Sequence, residues 1–529
     1  MKRQTAMITS TYKLRPSLIL AVISLPIFIG ALDLTVVSAV LPHVIYDLEI
    51  PVQSGLDDAA WMVSGYLLAY SVAMTFMGHL SDLYGRRRVY LVALIIFALG
   101  SYLVAIAETW PTRFALRVLY LLSSGRPDPG RISLMVLIAA RMIQAFGGGA
   151  MVPVGMALVG DLYPPGNRGR ALGAIAAVDT AGWVVGHLYG GIIVRYFDWR
   201  MIFWLNLPFC LLAFLLVLFL LRGYQQPPGV ERMDWLGAIL ISLALSSLNI
   251  ALGTRVESGV SLEVGKQSIL PPYAGPTLAA TVVFLILFLW RQRTFSYPLA
   301  PLQLFKRRNF SAASLANFLV GFSLFVAIAN VPLYINTVVA PTLEQGAWDS
   351  GWMLSALTVP MALAAVPGGW LTSRRGYRWP ALIGLVGAVL GFAFMSRWQV
   401  DTAYTTMAPH LVLTGVGIGL TIAPIAAAVV DASPEGYRGT ASGAVIIFRL
   451  IGMTLGVSSM TTYDLYRVDV LSARWLSPSA SLSEVVRVGL EVATTVINET
   501  FMIAGVVCLL AFLPVLRLGD IQMKGESDG

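Results

Sequence analysis

The sequence predicts an all-α integral membrane protein with fourteen transmembrane helices in a 6+2+6 arrangement. Three observations predict it: a shortage of charged residues, a series of apolar runs of spanning length, and motifs of the first half that return in the second. Of 529 residues, 57 % are hydrophobic and 12 % charged, whereas soluble proteins carry about 25 % charged residues. Lipid must therefore act as solvent for most of the chain. A spanning helix needs roughly 20 apolar residues, because the hydrocarbon core is about 30 Å thick and each residue rises about 1.5 Å.

Runs of this kind occur near 17–41, 58–80, 88–108, 132–160, 170–194, 199–221, 234–253, 275–292, 311–339, 349–373, 379–397, 406–430, 440–462 and 493–516. The first follows Lys2, Arg3, Lys13 and Arg15 and exceeds a signal-peptide core in length, so it is read as a retained helix. An even number of spans puts both termini on one side. With that side taken as cytoplasmic, 22 of the 36 Lys and Arg fall in inside segments, 12 outside and two within spans. That excess has the direction of the positive-inside bias. The expected location is the cell membrane, with cytoplasmic termini and the bilayer as surroundings.

The net charge of +8 raises nucleic acid as a partner, but the basic residues sit in short loops between spans and form no basic face on a soluble domain. No nucleic-acid partner is expected. Cys210 and Cys508 both lie inside apolar runs, where cysteine behaves as a small buried hydrophobe; no metal and no cofactor are implied. There is no phosphate-cradling Gly-x-x-x-x-Gly-Lys-Ser/Thr loop. There is also no His-Glu-x-x-His helix or Gly-x-Ser-x-Gly elbow, so the reading is of a carrier driven by a gradient and not of an enzyme.

An internal repeat organises the chain. Trp61-Met62-Val63-Ser64 returns as Trp352-Met353-Leu354-Ser355, and Gly78-x-x-x-Asp82-x-x-Gly85 returns as Gly369-x-x-x-Ser373-x-x-Gly376, each 291 positions on. Asp161-x-x-Pro164-x-Gly166-x-Arg168-Gly169 returns as Asp431-x-x-Pro434-x-Gly436-x-Arg438-Gly439, 270 positions on. The shortfall of 21 points to an insertion in the first half, for which the amphipathic stretch 109–131 is the obvious segment. Its Leu and Arg spacing suits an interfacial helix on the outer surface. The expected organisation is a bundle at 1–221, a linker with two extra spans at 222–310, and a bundle at 311–529. Such a plan places a substrate site between the halves near the midplane.

Several motifs carry a resemblance to a known family. Gly78-His79-Leu80-Ser81-Asp82-Leu83-Tyr84-Gly85-Arg86-Arg87-Arg88 resembles the signature loop of the major facilitator superfamily. Leu32-Asp33-Leu34-Thr35 and Trp199-Arg200-Met201-Ile202-Phe203-Trp204-Leu205-Asn206-Leu207-Pro208 are similar to first- and sixth-helix motifs of its fourteen-helix drug:proton antiporter branch, the EmrB/QacA type. Ala140-Arg141-Met142-Ile143-Gln144 resembles the fourth-helix motif, whose arginine the family links to proton transfer. Gly182, Gly186, Gly190 and Gly191 match the fifth-helix antiporter motif, with His187 where the family has proline. The resemblance implies a monomer exchanging protons for a small-molecule substrate by alternating access. It also implies a latch at Gly78, Asp82, Gly85, Arg86 and Arg87.

An ionisable side chain inside a span is costly unless paired or hydrated, so each one is a candidate. Asp33 and Arg141 lie at nearly equal depth in spans 1 and 4, which line the cavity in this superfamily. Arg141 favours the charged form of Asp33 and desolvation the neutral form; a substrate that changes hydration then tips the balance. Asp33 is the expected proton carrier, Arg141 its partner, and Asp179 and His187 further proton-coupling candidates. Asp179 and Arg449 are repeat equivalents, expected at matching depth without necessarily touching. Gln144, Asn317, Asn330 and Arg449 are candidates for the cavity wall. The expected activity is efflux of amphipathic compounds or drugs; a lipid or lipid-linked exporter, served by 109–131 and the outer segment 463–492, and an uptake carrier are the alternatives.

Overall fold

The computed structural model describes residues 16–48, 52–122, 128–224, 232–253, 273–296, 298–299, 302–476 and 481–519. In chain order the first bundle comprises α1 (Pro16–Asp47), α2 (Val52–Tyr84), α3 (Arg86–Ala105), α4 (Trp110–Leu122), α5 (Pro129–Leu162), α6 (Pro165–Tyr196) and α7 (Arg200–Leu220). A hairpin of α8 (Trp235–Gly253) and α9 (Ala274–Thr294) follows. The remainder is α10 (Arg308–Tyr334), α11 (Leu343–Arg375), α12 (Arg378–Met395), α13 (Tyr404–Ala432), α14 (Arg438–Trp475) and α15 (Leu482–Leu510).

All of these except α4 overlap one of the apolar runs, which gives fourteen long helices among the described residues. Eleven are long and apolar enough to cross a membrane by length and composition alone. Of the other three, α2 and α8 contain shorter apolar stretches, Gly65–Met74 and Trp235–Leu248. The helices outrun the apolar runs because hydropathy marks the lipid-facing portion, whereas backbone hydrogen bonding continues through polar residues. The segment expected as an outer connection from 463 is the continuation of α14, a helix of 38 residues.

Local signals fix the ends. Asp128 accepts from the Gly130 backbone at 3.0 Å, with Pro129 in the first turn of α5, and Ser481 accepts from Glu484 at the start of α15. Gly85 and Gly376, equivalent in the repeat, end α2 and α11 at φ of 103° and 78°. A side chain is strained in that region, which explains why glycine stands at both places.

Each half packs in the same pattern. α1 lies on α6 and α10 on α14; α2 lies on α5 and α11 on α13; α3 contacts α5 and α7 as α12 contacts α13 and α15. Across the halves, α2 runs along α14 and α6 along α11, contacts that exchange under the repeat. The hairpin lies against α2 and α14. Its two helices are tied by Asp234, which accepts from Arg291 Nε at 3.1 Å and Gln292 Nε2 at 3.0 Å.

Without a hydrophobic drive between helices in lipid, close packing depends on small residues. A Cβ on Gly78 would lie 2.2 Å from the carbonyl oxygen of Gly439, and one on Gly369 would lie 2.4 Å from that of Gly169. These two contacts are the same contact seen from opposite halves. Gly78→Val combined with Gly369→Val is expected to hold this end of the molecule apart. Spin labels at Tyr84 and Arg378, both exposed and in different halves, would report a longer distance; an unchanged distance would show that the glycines do not control this contact.

Candidate functional site

Among the described residues, two buried charged clusters are the candidates, one within the first half and one between the halves. The first is centred on Asp33 of α1, which is fully buried. Its Oδ2 accepts from Arg141 Nη1 of α5 at 2.5 Å. Its Oδ1 accepts from Gln144 Nε2 and from Asn206 Nδ2 of α7, each at 2.9 Å. Gln144 Oε1 in turn accepts from Arg141 Nη1 at 2.6 Å. Ser101 of α3 receives both amides at 3.1 Å and donates to the Phe203 carbonyl. Four helices thus meet around one carboxylate, which accepts from two amides on Oδ1 and from Arg141 on Oδ2.

Arg141 also lies face-on to the Tyr66 ring, 4.1 Å from its centroid, a contact that stabilises a cation out of water. Tyr66 stacks on Tyr70 at 5.9 Å. Tyr70 lies within electrostatic range of Asp179 and Arg449, which form an ion pair at 3.7 Å between α6 and α14. The equal depth of Asp179 and Arg449 followed from the repeat; their contact across the halves did not. A line of polar and aromatic groups therefore runs from the Asp33 centre to the opposite half. A proton on the Asp33 carboxylate would compete with these donors.

The second site lies where α2, α5 and α6 meet α11, α13 and α14. Asp82 accepts from the backbone N–H of Gly439 at 3.0 Å and of Thr440 at 2.9 Å, and from the Thr440 hydroxyl at 3.1 Å. It thereby caps the N-terminus of α14, where a negative charge is favourable. Arg86 bridges Asp82 at 3.1 Å and Asp161. Asp161 also accepts from Arg438 of α14 at 2.9 Å, while Arg168 pairs with Asp431 of α13. The acid of each repeat motif is therefore paired with the arginine of the other copy.

Two tyrosines complete this end. Burial pushes the Tyr377 hydroxyl up to about 12, against the opposing effect of Arg168, so it remains a donor to Asp431 at 2.7 Å. Burial likewise raises the pKa of Tyr224, which donates to Asp161. Arg87 reaches outside the cluster to the Leu218 carbonyl at 2.6 Å.

The remaining candidates fall elsewhere. Asn317 donates to the Val445 carbonyl at 2.6 Å and Asn330 to Thr500 Oγ1 at 2.7 Å, so in this conformation both join helices within the second half. Gln144 is committed to Asp33, Arg141 and Ser101. Gly182 and Gly186 bring α6 against α1, where added Cβ atoms would lie 2.7 Å from Ala31 Cβ and 2.1 Å from Thr35 Oγ1. Gly190 is buried on the same helix. The side-chain surroundings of His187 and Gly191 lie outside the described residues. Ser101 and Asn206 were not among the candidates; Asn206 stands inside the Trp199–Pro208 motif, which was the available signal.

Residues 23–457 match the Major Facilitator Superfamily. The chain belongs to this superfamily. Among its curated relatives, a probable triacylglyceride transporter of Mycobacterium leprae (strain TN) is 31 % identical, over 93 % of this chain and 94 % of that protein. A triacylglyceride transporter of Mycobacterium tuberculosis (strain ATCC 25618 / H37Rv) is 32 % identical, over 96 % of this chain and 95 % of that one. Solved structures of similar fold include a proton:xylose symporter, XylE, bound to 6-bromo-6-deoxy-D-glucose, with TM-score 0.59, 14 % identity and 94 % of each chain covered. The human organic anion transporter MFSD10 (TETRAN) has TM-score 0.57 and 16 % identity, over 95 % of this chain and all of that one. This major facilitator protein is accordingly a multi-span secondary transporter, not an enzyme.

Proposed function

We propose that this major facilitator protein exports neutral glycerolipids from the cell membrane, driven by protons, as a monomer with both termini in the cytoplasm. Bundles 1–221 and 311–529 rock against each other, and the end carrying Asp82 and Arg438 is the cytoplasmic gate. Asp33 carries the proton, with Arg141 favouring its charged form and Gln144, Asn206 and Ser101 holding its geometry. Asp179 and Arg449 transmit its state between the halves, and His187 is a further proton-coupling candidate on α6.

The observation that carries this reading is the length of α14. Its first turn is held at the gate by Asp82, and 38 residues extend about 57 Å at about 1.5 Å per residue. The hydrocarbon core takes up about 30 Å, so roughly 25 Å of α14 continues beyond the opposite surface, paired there with the start of α15. Leu471 on α14 and Val488, Val492 and Val496 on α15 form an apolar seam in this projecting hairpin. A water-soluble substrate has no need of such an extension, whereas a lipid leaving the bilayer needs apolar surface along its way. The naming of the relatives as triacylglyceride transporters agrees with this reading, as does the pairing of buried Asp33 with Arg141, which leaves no net charge there for an ionic substrate.

An apolar groove of about 640 Å³ between α8 and the α2–α5 face, lined by Leu68, Val72, Phe76, Met142, Phe146 and Leu243, is of a size and chemistry suited to acyl chains. Drug:proton antiport is the second reading, favoured by the tight α1–α6 contact at Gly182 and Gly186. Vesicles containing the purified protein separate the two. Triacylglycerol transfer that requires an imposed proton gradient, and that stops when residues 466–490 are replaced by a short turn, is expected. Compound-stimulated proton flux unaffected by that replacement would favour drug antiport and overturn lipid export.

A further inference from the structure

We propose that α4 is a built-in site for anionic phospholipid headgroups, binding phosphate through Arg113 and Arg117 while Trp110, Phe114, Val118 and Leu121 enter the acyl region. The proposal rests on the membrane orientation given above, which puts the α3–α5 connection at the outer leaflet, but not on the identity of the transported substrate.

Trp110, Phe114, Val118 and Leu121 recur at the spacing of a single helical stripe. They are 58 %, 63 %, 37 % and 86 % exposed, so this stripe is not the one that packs on the protein. The packed side carries buried Thr112, whose hydroxyl donates to the Ala107 carbonyl at 2.8 Å, and lies against α5. Arg113 and Arg117, one turn apart at the edge of the stripe, are exposed, and neither forms an ion pair among the described residues. An unpaired row of guanidinium groups beside an unpaired apolar stripe is complementary to a phosphate above acyl chains. Guanidinium binds such oxygens in a two-pronged fashion.

The level of the helix agrees. At the ends of α3 and α7 leading to this surface, Tyr102 and Trp204 meet edge-on at 5.9 Å and are both exposed. Aromatic side chains of this kind sit at the headgroup level. Between Tyr102 and Trp110 stand the last three residues of α3 and a four-residue turn, so α4 begins close to that level, where an exposed apolar stripe meets the bilayer margin.

Each arginine near an anionic surface is expected to strengthen association about five-fold, and the two together about thirty-fold. The full-length protein carrying Phe114→Cys, labelled with an environment-sensitive fluorophore, tests this in vesicles; Cys210 and Cys508 are buried and leave a low background. The lipids are phosphatidylglycerol and phosphatidylcholine, one at a time carrying brominated acyl chains at equal mole fraction. Quenching is expected from both, with a strong preference for brominated phosphatidylglycerol that disappears in Arg113→Gln/Arg117→Gln and persists in weakened form in Arg113→Lys/Arg117→Lys, which keeps the charge but not the fork. Equal quenching by the two lipids in the parent, no quenching by either, or a preference retained in the glutamine variant would each overturn the proposal. Lipid export fails or succeeds in its own assay, and the quenching result does not depend on it.

Discussion

Asp33→Asn is expected to abolish proton-driven transport while leaving a folded protein. The substitution preserves shape and keeps acceptor oxygen for the amides of Gln144 and Asn206, both 2.9 Å from Oδ1. What it removes is the negative charge opposite Arg141, which is buried to 1 % exposure. Leaving one member of a buried pair uncompensated costs about 3–5 kcal/mol, so the single variant should also melt at a lower temperature. Arg141→Gln added to Asp33→Asn restores neutrality and is expected to recover most of that stability without recovering transport. The pair of measurements, thermal melting beside gradient-driven lipid transfer, separates a structural ion pair from a proton carrier. Transport that persists in the single variant would transfer the carrier role to Asp179.

The second large effect is expected at the gate. Arg168→Ala with Arg438→Ala removes both reciprocal pairs between the halves, leaving Asp161 with Arg86 and Tyr224 and Asp431 with Tyr377. Hydrogen bonds to charged groups contribute about 1.5–3 kcal/mol each, so the closed-to-open ratio should fall roughly 10²- to 10⁴-fold if the two contributions add. Distance distributions between spin labels at Tyr84 and Arg378 would show the open population directly. The exchange Arg168→Asp with Asp431→Arg rebuilds one pair in reverse and is expected to restore closure when added to the Arg438→Ala background. A distribution that remains closed in the double alanine variant would assign the seal to the glycine contacts and to Asp82 alone.

How much of this was legible beforehand depended on whether an interaction runs along the chain or across it. The apolar runs located fourteen helices, and the positions of Asp33 and Arg141 along theirs indicated equal depth, because depth is counted along one helix. The Asp161 and Asp431 motifs were recognisable as a repeat. Their cross-pairing with Arg438 and Arg168 was not, since a repeat does not say which copy faces which. Ser101 and Asn206 carry no such mark, because neutral polar residues in spans serve ordinary interhelical bonds far more often than they orient a carboxylate. The outer course of α14 was hidden for a different reason. Tyr463, Asp464, Arg467 and Asp469 end the apolar run, but nothing in them ends a helix, and Arg467 is held on the same surface as Glu499 of α15 through Nε at 2.8 Å.

The reciprocal pairing between the halves has an electrical consequence for the proposed gate. Asp82, Asp161 and Asp431 face Arg86, Arg168 and Arg438, so the cluster contains as many anions as cations. A membrane potential does work of about 2.3 kcal/mol per 100 mV on each net charge carried across it, but a neutral cluster that opens and closes as a unit carries almost none. As the proposed gate, the cluster is expected to be nearly blind to voltage. Asp33 and Arg141 are likewise neutral as a pair until a proton is added, and a neutral lipid adds no charge. Under the proposed proton coupling, the field acts on one species in the cycle, the protonated centre, and turnover should change with membrane potential only in the steps during which that centre moves.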